Sequence, residues 1–123
     1  MIQIEFRVWE DDKIIPEMSY GDLNSTRLIE RTTGKEKMLY INVNDKNRKK
    51  IFQKDICKYF NDLDKDGIGI IEDDYIKWIS GTIAKTNLMT PLYYLKRGSE
   101  FEVLGNIYEN PELLEQGRGK NNN

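Results

Sequence analysis

The chain has 123 residues, with 19 Lys and Arg against 21 Asp and Glu and a formal charge of -2, so no global field draws it toward nucleic acid or an anionic membrane. Histidine is absent and Cys57 is the only cysteine, which removes Ser-His and Cys-His nucleophile pairs, imidazole metal sites, an intrachain disulfide and a single-chain thiolate zinc cage. A chain of this length buries roughly two thirds of its extended surface, enough for one core without covalent staples.

Ile2-Gln3-Ile4-Glu5-Phe6-Arg7-Val8 alternates apolar and polar residues strictly, which predicts a core strand with Ile2, Ile4, Phe6 and Val8 on one face. Glu10-Asp11-Asp12-Lys13 interrupts the pattern as a polar turn, and Pro16 confines Ile14 to Met18 to an edge strand or an irregular segment. From there to Arg31 no element declares itself. Thr32-Thr33-Gly34-Lys35 is a second turn, and Met38-Leu39-Tyr40-Ile41-Asn42-Val43 has strand composition. The polar loop from Asn44 to Lys50 leads through Ile51-Phe52 and Gln53-Lys54 into the strand Asp55-Ile56-Cys57-Lys58-Tyr59-Phe60. Across an aspartate-rich turn, Ile68-Gly69-Ile70-Ile71-Glu72 reads as its hairpin partner.

Further short strands are expected at Tyr75 to Ile79, Leu92 to Leu95 and Glu100 to Leu104, separated by Gly81 and by Lys96-Arg97-Gly98-Ser99. Asn110-Pro111-Glu112-Leu113-Leu114-Glu115 has a cap residue, a first-turn proline and an early acid in the order of a helix start. Gly117 to Asn123 offers nothing apolar to pack. The expected organisation is one domain over residues 1–116 with a flexible tail at 117–123. The fold class is mainly β, a small barrel-like fold in one lobe or two, with one short C-terminal helix.

Asp62-Leu63-Asp64-Lys65-Asp66-Gly67 opens like a calcium loop, with carboxylates at alternate positions and a glycine for the sharp turn. Its second half departs from that pattern: Gly69 and Asp73 stand where an apolar residue and a bidentate glutamate are needed. The flanks look extended, so a hairpin turn explains the same letters. Lys46, Arg48, Lys49 and Lys50, with Lys54 and Lys58 downstream, form a basic cluster that suits phosphate contacts, with Tyr40, Phe52 and Tyr59 as stacking surfaces nearby. No aromatic is interleaved within the cluster, and Asp45 and Asp55 dilute it, so a solvated loop is the competing reading. Cys57, in an apolar strand, reads as a small core residue. Tyr75, Trp78, Tyr93, Tyr94 and Phe101 are candidates for a pocket wall, but strand aromatics more often make cross-strand pairs. Glu100/Glu102 and Asp73/Asp74 read as solvated faces. No constellation requires a cofactor, a metal or a catalytic residue, and none is expected.

Three stretches together resemble the YopX family of small phage and prophage proteins of Gram-positive bacteria. They are the opening Ile4-Glu5-Phe6-Arg7-Val8-Trp9-Glu10, the central run from Asn44 through Asp45-Lys46-Asn47-Arg48-Lys49-Lys50 to Ile56, and the ending from Glu102 through Leu104-Gly105-Asn106 to Leu114. The resemblance implies a β-rich fold with a small barrel-like part and a phage origin, and it carries over no biochemical activity and no catalytic residues. The chain departs from the family at Ile41-Asn42-Val43, where the family has Thr-Gly-Leu, and at Lys54, where it has a glycine. If the backbone there needs a positive φ, the lysine bears a steric penalty that glycine avoids.

The function expected is that of a non-enzymatic accessory protein of a phage or prophage, binding an unidentified host or phage macromolecule or assembling with itself. One alternative is nucleic-acid binding through the basic loop at residues 46–50. Another is capture of a small charged ligand, such as a nucleotide signal, in host counter-defence. The lone cysteine, together with an opening that lacks a basic start followed by an apolar run, leads to an expected location in the cytoplasm of the bacterial host, without membrane attachment.

Overall fold

The computed structural model describes residues 3–60, 66–85, 89–92 and 100–115, and about half of these lie in nine strands of two antiparallel sheets. The first sheet has the order β2-β1-β3-β4, from β1 (Glu5–Glu10), β2 (Glu17–Asp22), β3 (Met38–Asn44) and β4 (Lys50–Phe52). The second has the order β8-β7-β6-β5-β9, from β5 (Asp55–Phe60), β6 (Asp66–Ile71), β7 (Tyr75–Ser80), β8 (Met89–Pro91) and β9 (Phe101–Asn106). The helix α1 (Thr26–Arg31) follows β2, and a short C-terminal helix, α2, covers residues 112–115. The mainly β reading with a short C-terminal helix therefore holds.

In β1 the alternation works as written for Phe6 and Val8, which are buried under Leu28 of α1. The strand begins only at Glu5, and Ile4 is exposed rather than part of the core face. The other face of β1 is not solvated either, because Arg7 is buried. Pro16 is followed by β2, an edge strand as anticipated, which pairs with β1 without interruption from Glu5↔Asp22 to Glu10↔Glu17. α1 escapes sequence reading because it spans six residues and buries one side chain, Leu28, too short a run for a helical period to show.

Ile51 and Phe52 do not lead continuously into the next strand. They form β4, which pairs with β3, and the chain then changes sheet at Gln53-Lys54. Both glycine positions of the resembled family lie in the left-handed region here, with Asn42 at φ 62° and Lys54 at φ 69°. Asn42 suits that conformation better than most residues, and its side chain also pairs with the backbone of Gln3, accepting from its N–H at 2.8 Å and donating to its C=O at 3.0 Å. Lys54 has no such local compensation. Its N–H instead donates to Ile71 C=O and its C=O accepts from Ile107 N–H, which pins the turn to the second sheet.

β5 and β6 form the expected hairpin, from Ile56↔Ile70 to Phe60↔Asp66. Of the strand expected at Leu92 to Leu95, residues 93–95 lie outside the described residues, and Leu92 directly follows β8, which ends at Pro91. Pro91 stands opposite Tyr75, and beyond it Leu92 N–H still donates to Asp74 C=O at 2.9 Å. The main core joins the two sheets, with Ile51 of β4 packed among Cys57, Ile71, Ile76, Trp78 and Phe101 of the second sheet. The side chain of Asn110 does not cap α2. Its Oδ1 turns back to accept from Asn106 N–H at 3.2 Å, while its backbone C=O accepts from Leu113 N–H.

Candidate functional site

Cross-strand partners share a face of a sheet. In the first sheet this places Arg7, Tyr20, Met38, Tyr40 and Phe52 on one side, and Phe6, Val8, Ser19 and Gly21 on the other, under α1. The first side is divided. Over Arg7 and Trp9 it is covered by the 53–55 turn and by Tyr108, whose ring stacks on Trp9 at 6.0 Å. Over Tyr20, Tyr40 and Lys50 it is open: Tyr20 is 59% exposed, Lys50 is exposed and Tyr40 is half-buried.

These open residues form a cluster around Phe52. Tyr20 meets the Phe52 ring edge-on at 5.6 Å and Tyr40 lies tilted at 5.7 Å. The Lys50 ammonium sits 5.5 Å from the Tyr40 ring centre and pairs with Glu5 at 2.7 Å. Aromatic rings anchored on a strand present contact area at little entropic cost, and a cation beside them adds polar reach.

The floor beneath the cluster is an ion pair. Arg7 donates to Asp55 at 2.7 Å and to Gln53 C=O at 3.0 Å, and its guanidinium lies 5.0 Å from the Phe52 ring centre. Asp55 also accepts from Phe52 N–H at 2.8 Å. With Arg7 at 3% and Asp55 at 1% exposure, burial pushes the Asp55 carboxyl up against the opposing pull of Arg7 and the Phe52 N–H. The pair ties β1 of one sheet to β5 of the other.

The basic loop is built around Asp45. This buried carboxylate accepts from Asn47, Lys49 and Val103 N–H, at 2.8, 2.9 and 2.9 Å. Burial works to raise its pKa, and those three bonds outweigh it and hold the carboxyl below its ordinary value. Asp45 thus shapes the loop instead of merely diluting its charge. Arg48 completes the turn at φ 66°. Of the four candidate nucleic-acid contacts, Lys46 pairs with Glu102 at 3.3 Å and Lys50 with Glu5. Arg48 and Lys49 are exposed and make no ion pair among the described residues. Lys54 is drawn away, to Glu72. Tyr40 and Phe52 do stand beside the loop, whereas Tyr59 packs against Trp78 and Phe101 in the second sheet.

The other candidates resolve into structure. Trp78 and Phe101 are core, as is Cys57, whose thiol burial pushes well above its usual value. Tyr75 is half-buried, and Tyr93 and Tyr94 lie outside the described residues. Residues 62–65 of the aspartate-rich turn also lie outside them. Asp66 accepts from the Thr82 N–H and hydroxyl, both at 3.0 Å, and β6 follows where a calcium hand needs a helix. Among the described residues no group of three potential metal ligands converges, and no helix is long and apolar enough to cross a membrane.

Sequence reasoning missed Tyr20 and the Arg7–Asp55 pair. Strict alternation had assigned Arg7 to a solvated face, and a lone tyrosine in an unreadable stretch carried no signal. No curated protein matches the sequence. The family model described as YopX protein matches residues 20–115, a span that runs from the end of β2 through β3 to β9 and into α2, and the chain belongs to the YopX family.

Proposed function

We propose that this protein is a non-enzymatic accessory module of a phage or prophage, acting in the cytoplasm of the bacterial host by binding a macromolecule or by assembling with itself. Its working surface is the open part of the first sheet. The observation that carries this reading is the Tyr20–Phe52–Tyr40–Lys50 cluster, in which exposed Tyr20 and Lys50 and half-buried Tyr40 gather on strands around the buried Phe52 ring, over a buried ion pair. Three buried or shifted carboxylates have structural work to do, since Asp55, Asp45 and Asp66 each hold backbone or a neighbouring side chain in place.

The test is a quantitative pull-down from infected cells with the tagged chain and with a Tyr40→Ala/Lys50→Ala variant of unchanged melting temperature. Loss of the specific partner in the variant supports the reading. Equal recovery, or turnover of a metabolite by the purified protein, overturns it.

A nucleic-acid reading is favoured by the exposed Arg48 and Lys49 beside the Tyr40 ring, and opposed by the carboxylates that neutralise Lys46 and Lys50. Fluorescence anisotropy with a labelled single-stranded oligonucleotide tests it. Binding that falls steeply from about 50 to about 200 mM salt, and disappears in a Lys49→Glu/Lys50→Glu variant, is the expected result for this reading. Binding indifferent to salt removes it.

A further inference from the structure

The ends of the two sheets are not equally closed. Along β9, Phe101 C=O accepts from Lys46 N–H, Val103 N–H donates to Asp45 and Asn106 N–H donates to Asn110. β4 is three residues long and its Phe52 N–H is taken by Asp55. β8 is also three residues long and ends in Pro91. β2 differs: it has six residues, with no bulge in its register, no proline and no lysine. Such an edge lacks the bulge, proline and lysine by which soluble proteins discourage pairing with another strand, and its two acids are engaged in their own chain, Glu17 with Lys13 and Asp22 with the Asn24 N–H.

Its free groups can be placed. The N–H and C=O of Asp22 both turn away from β1, to Ser25 Oγ at 3.0 Å and Ser25 N–H at 3.1 Å. Backbone groups alternate sides along an antiparallel strand, so those of Tyr20 and Met18 point outward too, and no described residue takes them.

We propose that β2 pairs antiparallel with β2 of a second copy of this chain about a two-fold axis through Ser19, so that the first sheets of two copies become one continuous sheet. The inference rests on the assembly reading given above. Met18 then lies opposite Tyr20 of the second copy, and every outward N–H and C=O of both residues is satisfied. A shift of the axis toward Tyr20 sets Met18 against Asp22, whose groups are already used. A shift toward Met18 sets Tyr20 against Pro16, which has no N–H to give.

The same register explains side chains that otherwise have no role. Ile15 and Leu23, which flank β2 and are 78% and 67% exposed, come opposite one another across the axis. Glu17 comes opposite Gly21 of the second copy, with no like charge facing it. Its carboxylate is already paired with Lys13 of its own chain, so it brings no unpaired charge to the seam. A second copy therefore fits this edge in hydrogen bonds, apolar cover and charge together.

Light scattering on the full chain, coupled to size exclusion, is expected to give twice the monomer mass of 14.5 kDa. Tyr20→Pro removes an outward N–H at an edge position that tolerates proline, and is expected to give monomers. Should that variant not fold, a mixture of Ile15→Cys and Leu23→Cys chains under mild oxidation serves instead. Cys57 is buried and stands aside, and the mixed disulfide is expected in preference to either homodimer. A wild-type monomer at about 100 µM, where pairs of micromolar affinity form, overturns the proposal, as does a dimer that survives Tyr20→Pro or a mixture that shows no preference for the mixed disulfide. None of these outcomes touches the contact face of Tyr40 and Lys50, which the pull-down tests separately.

Discussion

Removing Asp55 should do more damage than any surface substitution, and the structure says by how much. Asp55→Ala leaves the Arg7 guanidinium, 3% exposed, without its carboxylate, and leaves Phe52 N–H without its acceptor. A buried charge deprived of its partner costs about 3–5 kcal/mol, a large part of the roughly 5–15 kcal/mol that holds a domain folded. Asp55→Asn keeps an acceptor for Phe52 N–H but not the charge, and should cost about 2–3 kcal/mol. An Arg7→Met/Asp55→Leu double variant removes both charges, leaving the Gln53 C=O short of a donor and the Phe52 N–H short of an acceptor. It should lie within about 2–3 kcal/mol of the wild type.

The assay is equilibrium urea unfolding of the chain and its variants, followed through Trp9 in the first sheet and Trp78 in the second. A coupling of at least about 3 kcal/mol between the two sites is expected from the cycle, completed by the Arg7→Met and Asp55→Leu single variants, each of which leaves one buried charge unpaired. Single effects that add to within about 0.5 kcal/mol would refute the idea that this pair joins the sheets.

Other expectations follow from particular positions. Lys54→Gly should be more stable than Lys54→Ala by about 1 kcal/mol, because both lose the pair with Glu72 and only glycine relieves φ 69°; urea midpoints in the reverse order contradict this. A methyl group at Gly105 would meet Asn110 Oδ1 at 2.3 Å and its Cβ at 2.9 Å, so Gly105→Ala should cost about 1–3 kcal/mol, read as a fall in melting temperature. Glu10 is held down to about 2 by hydrogen bonds from Arg31 and Ser19. A depressed carboxylate contributes stability above its unfolded pKa and loses it as pH falls through the folded value. The stability difference between wild type and Glu10→Gln should therefore be full at neutral pH and shrink between about 4.5 and about 2; a difference that is flat over that range argues against it.

Much of the fold was legible because β-strands write a short-range signal. Phe6 and Val8, the Met38 to Val43 run, and the hairpin across the aspartate-rich turn are each readable from period and turn chemistry alone. What stayed hidden depends on distant partners. Arg7 looks solvated until Asp55, in another sheet, is placed against it, and Asp45 looks like a charge in a loop until Val103 donates to it. The split at Gln53-Lys54 is equally invisible, since two strands separated by two residues read as one pattern or a hairpin, not as a change of sheet.

The candidate site was half legible. Tyr40, Phe52 and Lys50 were identified beside a basic loop, and the structure brings them together. The carboxylates Glu5 and Glu102, which pair with Lys50 and Lys46, and the exposed Tyr20, come from segments far away in sequence, where local composition carries no information.

Amide hydrogen exchange of the full chain at low and high concentration tests most directly whether the chain assembles with itself through the β2 edge of the first sheet. The amides of Met18 and Tyr20 should slow as the protein is concentrated, while that of Ser19, which faces β1, stays protected throughout. Equal exchange of Met18 and Tyr20 at both concentrations would contradict the account.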